Sequence, residues 1–332
     1  MKPRPTLRDV AASVGLSISC TARALKGRPG FPPSTYEKVQ KAARAVGYSR
    51  DPLLTALSAY RQARKPSRFR ETVAFLSTVG SEKTFLSGEG GNLLLGARAR
   101  GKELGYRVAY FEIGTTLETN AKTAKILRAQ GVQALLIRSF PFPIDSLAFP
   151  FSQFIGINLF SDPYARKLSA VSSYHAQSMQ WVMDELVKRN YRRPMLMIGS
   201  SLSQSLQHGW RMTFLANAKR FCKMSSYDTD KMAPLAEQVR YIKERKADVL
   251  IYCTSQDRIP SSFLRSNNKV GIVCMDVLDP KCGISGIDQN RFRAGQNAVE
   301  WLQSMLITQK AQVVQEMSAM LIPGVWIDGT TL

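Results

Sequence analysis

Residues 6–26 read TLRDVAASVGLSISCTARALK, and the fold is decided there. Leu7, Val10, Ala11 and Val14 recur at i, i+3, i+4 and i+7, the apolar stripe of a short amphipathic helix, and Gly15 breaks it. Ser17 is placed to cap a second helix. On that helix Thr21, Ala24 and Leu25 turn inward, while Ile18, Ser19, Ala22, Arg23 and Lys26 turn outward. Two short helices hinged at a glycine turn form a helix-turn-helix, whose second member fits a major groove about 12 Å wide. The plainer alternative is a helical hairpin within a larger core.

The residues that follow favour the first reading. Pro33 and Ser34 open a third helix, with Ser34 and Glu37 spaced as a capping box. Val39, Ala42, Ala43 and Val46 form its buried stripe, and Gly47 stops it. Three such helices bury little surface, but enough for an autonomous module. Charge points the same way: the 332-residue chain carries +21, of which +12 lies in residues 1–70. An excess that large implies a polyanionic partner, either nucleic acid or an acidic membrane surface. The other +9 reads as a solvated face.

The five cysteines, at 20, 222, 253, 274 and 282, include no C-x-x-C pair, so neither a disulfide framework nor a zinc site is suggested and no metal or other cofactor is expected. The N-terminus has no apolar signal-peptide core. Nor does any apolar run reach about eighteen residues, the length of a membrane span. The expectation is a cytoplasmic protein with no membrane partner, which argues against a secreted solute-binding protein.

The N-terminal segment resembles the DNA-binding headpiece of the lactose-repressor (LacI/GalR) family of bacterial transcription regulators. The matching residues are Thr6 to Ala11, Gly15-Leu16-Ser17, Arg23-Ala24-Leu25, Thr35, Lys38-Val39, Ala42-Ala43, Gly47-Tyr48 and Leu57. Where the family usually reads Thr-Val-Ser-Arg, this chain has Cys20-Thr21-Ala22-Arg23. Thr21 is smaller and more polar than a core position prefers, and Ala22 offers no hydroxyl to a phosphate. Asp51 as N-cap and Pro52 at the first helical position predict a further short helix with Leu53, Leu54 and Leu57 as its apolar face. By resemblance this is the hinge helix, which pairs with its twin and wedges Leu57 into the minor groove. The alternative is that these leucines pack on the next lobe. The resemblance thus implies DNA contacts from Thr6, Ser17, Ile18, Ser19, Ala22, Arg23, Lys26, Tyr48, Leu54 and Leu57.

Residues 61–70 form a basic linker. Beyond it the pattern alternates strands and helices: strands at Val73–Leu76, Tyr106–Phe111, Ala134–Ile137 and Phe154–Ile157, then Met195–Ile198, Val249–Tyr252 and Gly271–Met275. Helices are expected at Asn92–Leu104, Thr119–Ala129, Ala176–Lys188, Gly209–Phe221, Leu235–Glu244 and Ser261–Arg265, and the resemblance implies a last long helix at Ala294–Leu306. Continuously apolar strands between helices indicate parallel sheets covered on both faces. The expected organisation is a helix-turn-helix domain at 1–50, a hinge and linker at 51–70, and an effector-binding and dimerisation domain at 71–332. The last resembles the periplasmic-binding-protein-like fold, with two doubly wound lobes. Lobe 1 is placed at about 71–160 and 289–318, lobe 2 at about 161–288 and 319–332, with crossings near 161, 288 and 320.

Ligands in open α/β sheets gather at the carboxyl ends of strands, which in two facing lobes means the cleft. Candidates are Ser77-Thr78, Arg138-Ser139, Asn158, Ser200-Ser201, Thr254-Ser255-Gln256, Asp276 and Arg291; each has the alternative of merely capping a helix or closing a turn. By resemblance, Asn158 and Asp276 sit where family members hold sugar hydroxyls. Leu206 replaces a common sugar-binding arginine, and Arg291 stands where an aromatic is usual. Arg138 and Arg291 suit an acidic sugar or other anion. Catalysis has little support: the chain has two histidines and neither an H-E-x-x-H, a G-x-S-x-G nor a P-loop, while Gly88-Glu89-Gly90-Gly91 reads as a loop. The expectation is a non-enzymatic, sequence-specific regulator, a homodimer on a near-palindromic operator, with a sugar-related effector or with none. The competing class is a cytoplasmic solute sensor whose headpiece has decayed.

Overall fold

The computed structural model describes residues 5–25, 30–48, 71–138, 147–160, 168–206, 208–229, 235–253, 270–308 and 318–332. The chain divides into a helical N-terminal unit and a larger α/β body. The hinge helix and linker expected at 51–70, and the helix expected at 261–265, lie outside the described residues.

In the N-terminal unit, α1 (Leu7–Val14) ends at Gly15, whose φ of 70° is left-handed and costs glycine little. Its start is fixed by the Asp9 carboxylate, which accepts the Thr6 N–H at 2.7 Å and the Thr6 hydroxyl at 2.8 Å. These bonds, the backbone one foremost, hold the Asp9 pKa below the ordinary carboxylate value. Next come α2 (Ile18–Leu25) and α3 (Pro33–Val46). Val10, Val14, Ala24, Val39 and Ala43 make the small core, with Leu16, Leu25, Phe31, Tyr36 and Tyr48 packed around it. The capping box expected at Ser34 and Glu37 is not formed. Pro32 occupies the N-cap without a side-chain bond, because Pro33 suits the first helical position and puts Ser34 inside the first turn.

The α/β body opens with β1 (Glu71–Ser77), α4 (Glu82–Ser87), α5 (Gly91–Leu104), β2 (Tyr106–Glu112), α6 (Leu117–Ala129), β3 (Ala134–Arg138), β4 (Ile155–Leu159) and β5 (Ser169–Ser173). It continues with α7 (His175–Lys188), β6 (Pro194–Met197), α8 (Ser200–Ser205), α9 (Gly209–Ala216), β7 (Ser225–Tyr227), α10 (Leu235–Arg245), β8 (Val249–Tyr252), β9 (Gly271–Cys274) and β10 (Ser285–Asp288). The described chain closes with α11 (Arg291–Thr308), β11 (Ala319–Ile322) and β12 (Val325–Ile327).

Two sheets result, ordered β11-β5-β4-β3-β1-β2 and β12-β10-β9-β8-β6-β7. Each carries the doubly wound order 2-1-3-4-5 with one added edge strand. Among the described residues all pairings are parallel except β10 with β12, which is antiparallel, so the second lobe is not purely parallel. Successive residues of the buried strands feed both faces of the first sheet. Ala74, Leu76, Leu135 and Ile137 pack with Leu127 of α6, while the Phe75 ring meets Phe85 at 5.2 Å.

Sheet membership moves two of the expected crossings. Because β5 pairs with β4, the first crossing follows Ser173 rather than falling near 161. The third lies between Ile322 of the first sheet and Val325 of the second, just past the expected 320. The second lies between Asp288 of the second sheet and Arg291, the first residue of α11. Helix α11 returns to the first lobe by close backbone approach: a Cβ on Gly96 would stand 1.9 Å from the Phe292 carbonyl oxygen, and one on Gly295 2.1 Å from that of Leu93. No helix among the described residues is long and apolar enough to cross a membrane.

Candidate nucleic-acid interface and interlobe cleft

Ile18, Ser19 and Arg23 are exposed and Ala22 half-buried, while Thr21 and Ala24 are buried. Ser17 caps α2 by accepting the Cys20 N–H at 3.1 Å. Thr21 at its core position is reconciled by local bonding, since its hydroxyl donates to the Ser17 carbonyl at 2.9 Å and leaves the methyl to pack. The Arg23 guanidinium lies 5.4 Å from the Phe31 ring centroid, a cation–π contact that restrains it beside the α2–α3 connection. Thr6 is exposed but its hydroxyl is engaged by Asp9, and Tyr48 is half-buried against the core. Lys26, Leu54 and Leu57 lie outside the described residues.

In the α/β body the first-lobe candidates line up at the carboxyl ends of their strands. Ser77 is registered with Arg138, and Ile137 with Asn158. All three polar side chains are buried. Ser77 also closes a turn, its hydroxyl accepting the Val79 N–H at 3.1 Å, and Ser200 is taken up by the Asp228 carboxylate at 2.6 Å. Ser255 and its neighbours Thr254 and Gln256, like Ser139, lie outside the described residues.

The dominant feature is the ion pair between Arg291, first residue of α11, and Asp276, two residues past β9. Both guanidinium NH groups engage the two carboxylate oxygens, Nη2 to Oδ2 at 2.6 Å, and neither side chain is more than a tenth exposed. Such a fork is the strong form of a carboxylate–guanidinium bond. Since α11 packs on the first lobe and β9 belongs to the second, the pair ties the lobes together across the cleft. Arg291, expected to serve an anionic ligand, is thus engaged from within the chain. Burial works against its charge, but the Asp276 carboxylate reverses that and leaves its pKa above the ordinary value. Arg138 donates to the Phe160 carbonyl at 2.5 Å. Burial, assisted by Arg291, pulls its pKa down to about 9, so it remains a cation at neutral pH.

Several participants escaped the sequence reading. Phe160, held at a φ of 49°, places its ring 5.4 Å from the Arg291 guanidinium carbon. Gln289 donates its amide N–H to the Met275 carbonyl from the second crossing. Gly90 and Gly91 serve packing rather than phosphate: a Cβ would stand 2.4 Å from the Phe85 ring at the first and 2.3 Å from the Leu86 carbonyl at the second. His175, at the start of α7, is half-buried and edge-on to Trp210, with ring centroids 5.5 Å apart. Burial, with Arg291 adding to it, lowers its pKa to about 4.

That shift carries a sign. Between pH 6.5 and about 4 the unfolded imidazole binds a proton that the folded one refuses, so stability is whole above pH 6.5 and falls as the pH drops through that window. At 1.36 kcal/mol per pH unit the loss is about 3 kcal/mol. Thermal unfolding of wild type and His175→Gln from neutral to acid pH checks it: the variant's curve is expected to be flatter over that window.

No protein-family model and no curated protein sequence matches the chain. Solved structures do. The lac repressor dimer bound to operator and the anti-inducer ONPF superposes with a TM-score of 0.57 at 18% identity, covering 99% of each chain. The transcriptional regulator CelR in complex with cellobiose gives 0.58 at 17% identity, over 99% of this chain and 100% of that one. A LacI-family regulator from Silicibacter pomeroyi gives 0.53 at 16%, over 98% and 99%. Over nearly its whole length, therefore, the chain has the fold of the lactose-repressor type of transcription regulator, a helix-turn-helix headpiece joined to a two-lobed α/β body.

Proposed function

We infer that the protein is a sequence-specific DNA-binding transcription regulator, a repressor and not an enzyme, acting in the cytoplasm as a homodimer on a near-palindromic operator. The observation that carries this is α2, which is anchored through Thr21 and Ala24 and offers Ile18, Ser19, Ala22 and Arg23 on its free face. Each headpiece lays that face in one major-groove half-site, Lys26 and Tyr48 flank it, and the hinge leucines Leu54 and Leu57 act at the minor groove between half-sites. The restraint of Arg23 by Phe31 favours a phosphate contact over bidentate guanine recognition. The cleft bounded by Ser77, Arg138, Asn158, Asp276 and Arg291 takes a small sugar-related effector, acidic sugars included, with Ser255 as a further contact expected from the sequence, and its binding alters lobe closure and so hinge pairing. A second reading, a regulator with no effector, is favoured by the way Asp276 and Arg291 already satisfy one another.

Arg23→Ala tests the interface. In a salt titration of operator and unrelated duplexes, a phosphate role predicts that all sequences weaken alike and the slope of log K on log salt drops by about one. Loss of about 1–3 kcal/mol confined to one base position would instead identify a guanine contact. Unchanged binding to every duplex would remove α2 from the interface and with it this reading.

A further inference from the structure

The second sheet gathers basic residues that are far apart in sequence. Strands β6, β7 and β8 are mutually parallel, so the segments leading into them meet at one end of the lobe, away from the cleft. The backbone N–H groups of Cys222 and Lys223 bond the Arg192 carbonyl at 3.0 and 3.3 Å. The Asp248 N–H reaches the Arg193 carbonyl at 3.2 Å, and its carboxylate accepts the N–H groups of Arg192 and Arg193 at 2.7 and 2.9 Å. One surface therefore carries Arg192, Arg193, Lys219, Lys223, Lys243 and Lys246, all exposed. Neighbouring cations are accounted for: Lys188 and Arg189 pair with Glu185, and Arg220 with Asp184. Lys243 also complements the carboxyl end of α10. Among the described residues none of the six has a carboxylate partner, and the Asp248 carboxylate between them is spent on backbone.

We propose that this end of the second lobe is a sequence-independent binding surface for duplex DNA, through which a regulator seated on its operator captures a second DNA segment. The inference rests on the DNA-binding reading for the operator arm only. Charge complementarity demands a polyanion, and the kind of surface selects among polyanions. Protein interfaces centre on aromatic or apolar anchors and are poor in lysine, and stable membrane attachment adds an apolar element to a basic patch. The six residues are long and charged and sit on short connections or at the end of α10, which suits phosphate contacts. This converts charge read from the sequence as a solvated face into a site. If four of the six take phosphates, the surface contributes about 3.6 to the salt slope.

The test uses the full chain with Arg192→Gln, Arg193→Gln, Lys219→Gln and Lys223→Gln combined. Arg192, Arg193 and Lys223 take part in the local fold through backbone groups, so an unchanged circular dichroism spectrum and melting temperature are expected. Protein on immobilised operator duplex is offered a labelled duplex of unrelated sequence. Wild type is expected to capture it in a salt-sensitive way and the variant to lose at least tenfold of that capture, while operator binding changes less than twofold. Absence of capture by wild type, or equal capture by the variant, overturns the proposal. So does displacement of the labelled duplex by polyglutamate or anionic vesicles as effectively as by DNA at equal charge. If operator binding itself fails, the headpiece reading falls instead, and direct binding of unrelated duplex to both proteins decides the surface by the same tenfold criterion.

Discussion

Replacing Arg291 by alanine is expected to destabilise the α/β body by about 3–5 kcal/mol, because it strands the Asp276 carboxylate in a buried site. The pair carries this cost because neither group has water to fall back on: Asp276 is 3% exposed and Arg291 8%. Asp276→Ala, which strands the guanidinium, is expected to do comparable damage. The double variant Asp276→Leu, Arg291→Met removes both charges and fills the space, and should recover most of the loss, since well-packed apolar replacements of buried ion pairs are often neutral or better. Urea unfolding of the four proteins gives the comparison directly. Single variants within about 1 kcal/mol of wild type would mean that solvent reaches the pair and that it does not tie the lobes. The same variants bear on regulation. If the pair holds the lobe angle without a ligand, the double variant alters operator affinity with its headpiece untouched; if an effector sets that angle, only its response to ligand changes.

Gly96→Ala is expected to be nearly as damaging although it adds only one methyl group. Its Cβ would sit 1.9 Å from the Phe292 carbonyl oxygen, a backbone atom of α11 that cannot swing aside as a side chain would. Relief requires α5 and α11 to separate, which breaks the seat of the helix that carries Arg291. The overpacking cost is about 3 kcal/mol or more, and a melting temperature lower by about 6–12 °C reports it. Gly105→Ala is the internal contrast. That glycine has a left-handed φ of 83° but nothing near the added methyl, so only the local backbone cost of about 1–2 kcal/mol applies. A Gly96→Ala protein no less stable than Gly105→Ala would show that the two helices do not approach so closely.

How much of this was legible beforehand follows from what each feature depends on. The headpiece surface depends on helical period alone, so Ile18, Ser19 and Arg23 of α2 are exposed while Ala22 is half-buried, and Gly15 and Gly47 end their helices. The capping box at Ser34 failed because proline geometry, not side-chain pairing, fixed the start of α3. Strand β5 was missed because Ser-Ala-Val-Ser-Ser has no apolar run, although all five residues are buried. That omission displaced the first crossing. In the cleft, Asp276 and Arg291 were each singled out, but their mutual bond joins different lobes and leaves no trace in spacing. His175 was one of two histidines and carried no motif; its depressed pKa comes from burial that only the fold supplies. The basic end of the second lobe was invisible for a similar reason, since the segments at Arg192, Lys223 and Asp248 come together only through the parallel alignment of the strands they lead into.

The central claim, that a helix near the N-terminus reads duplex DNA twice over in a symmetric dimer, is tested most directly by selection from a random-sequence duplex pool with the full-length protein. The expected result is enrichment of a near-palindrome whose half-sites are separated by about one helical turn or a multiple of it, and whose enrichment is weakened by Arg23→Ala. A pool that stays random through successive rounds, with binding to every duplex equal at each salt concentration, would contradict it.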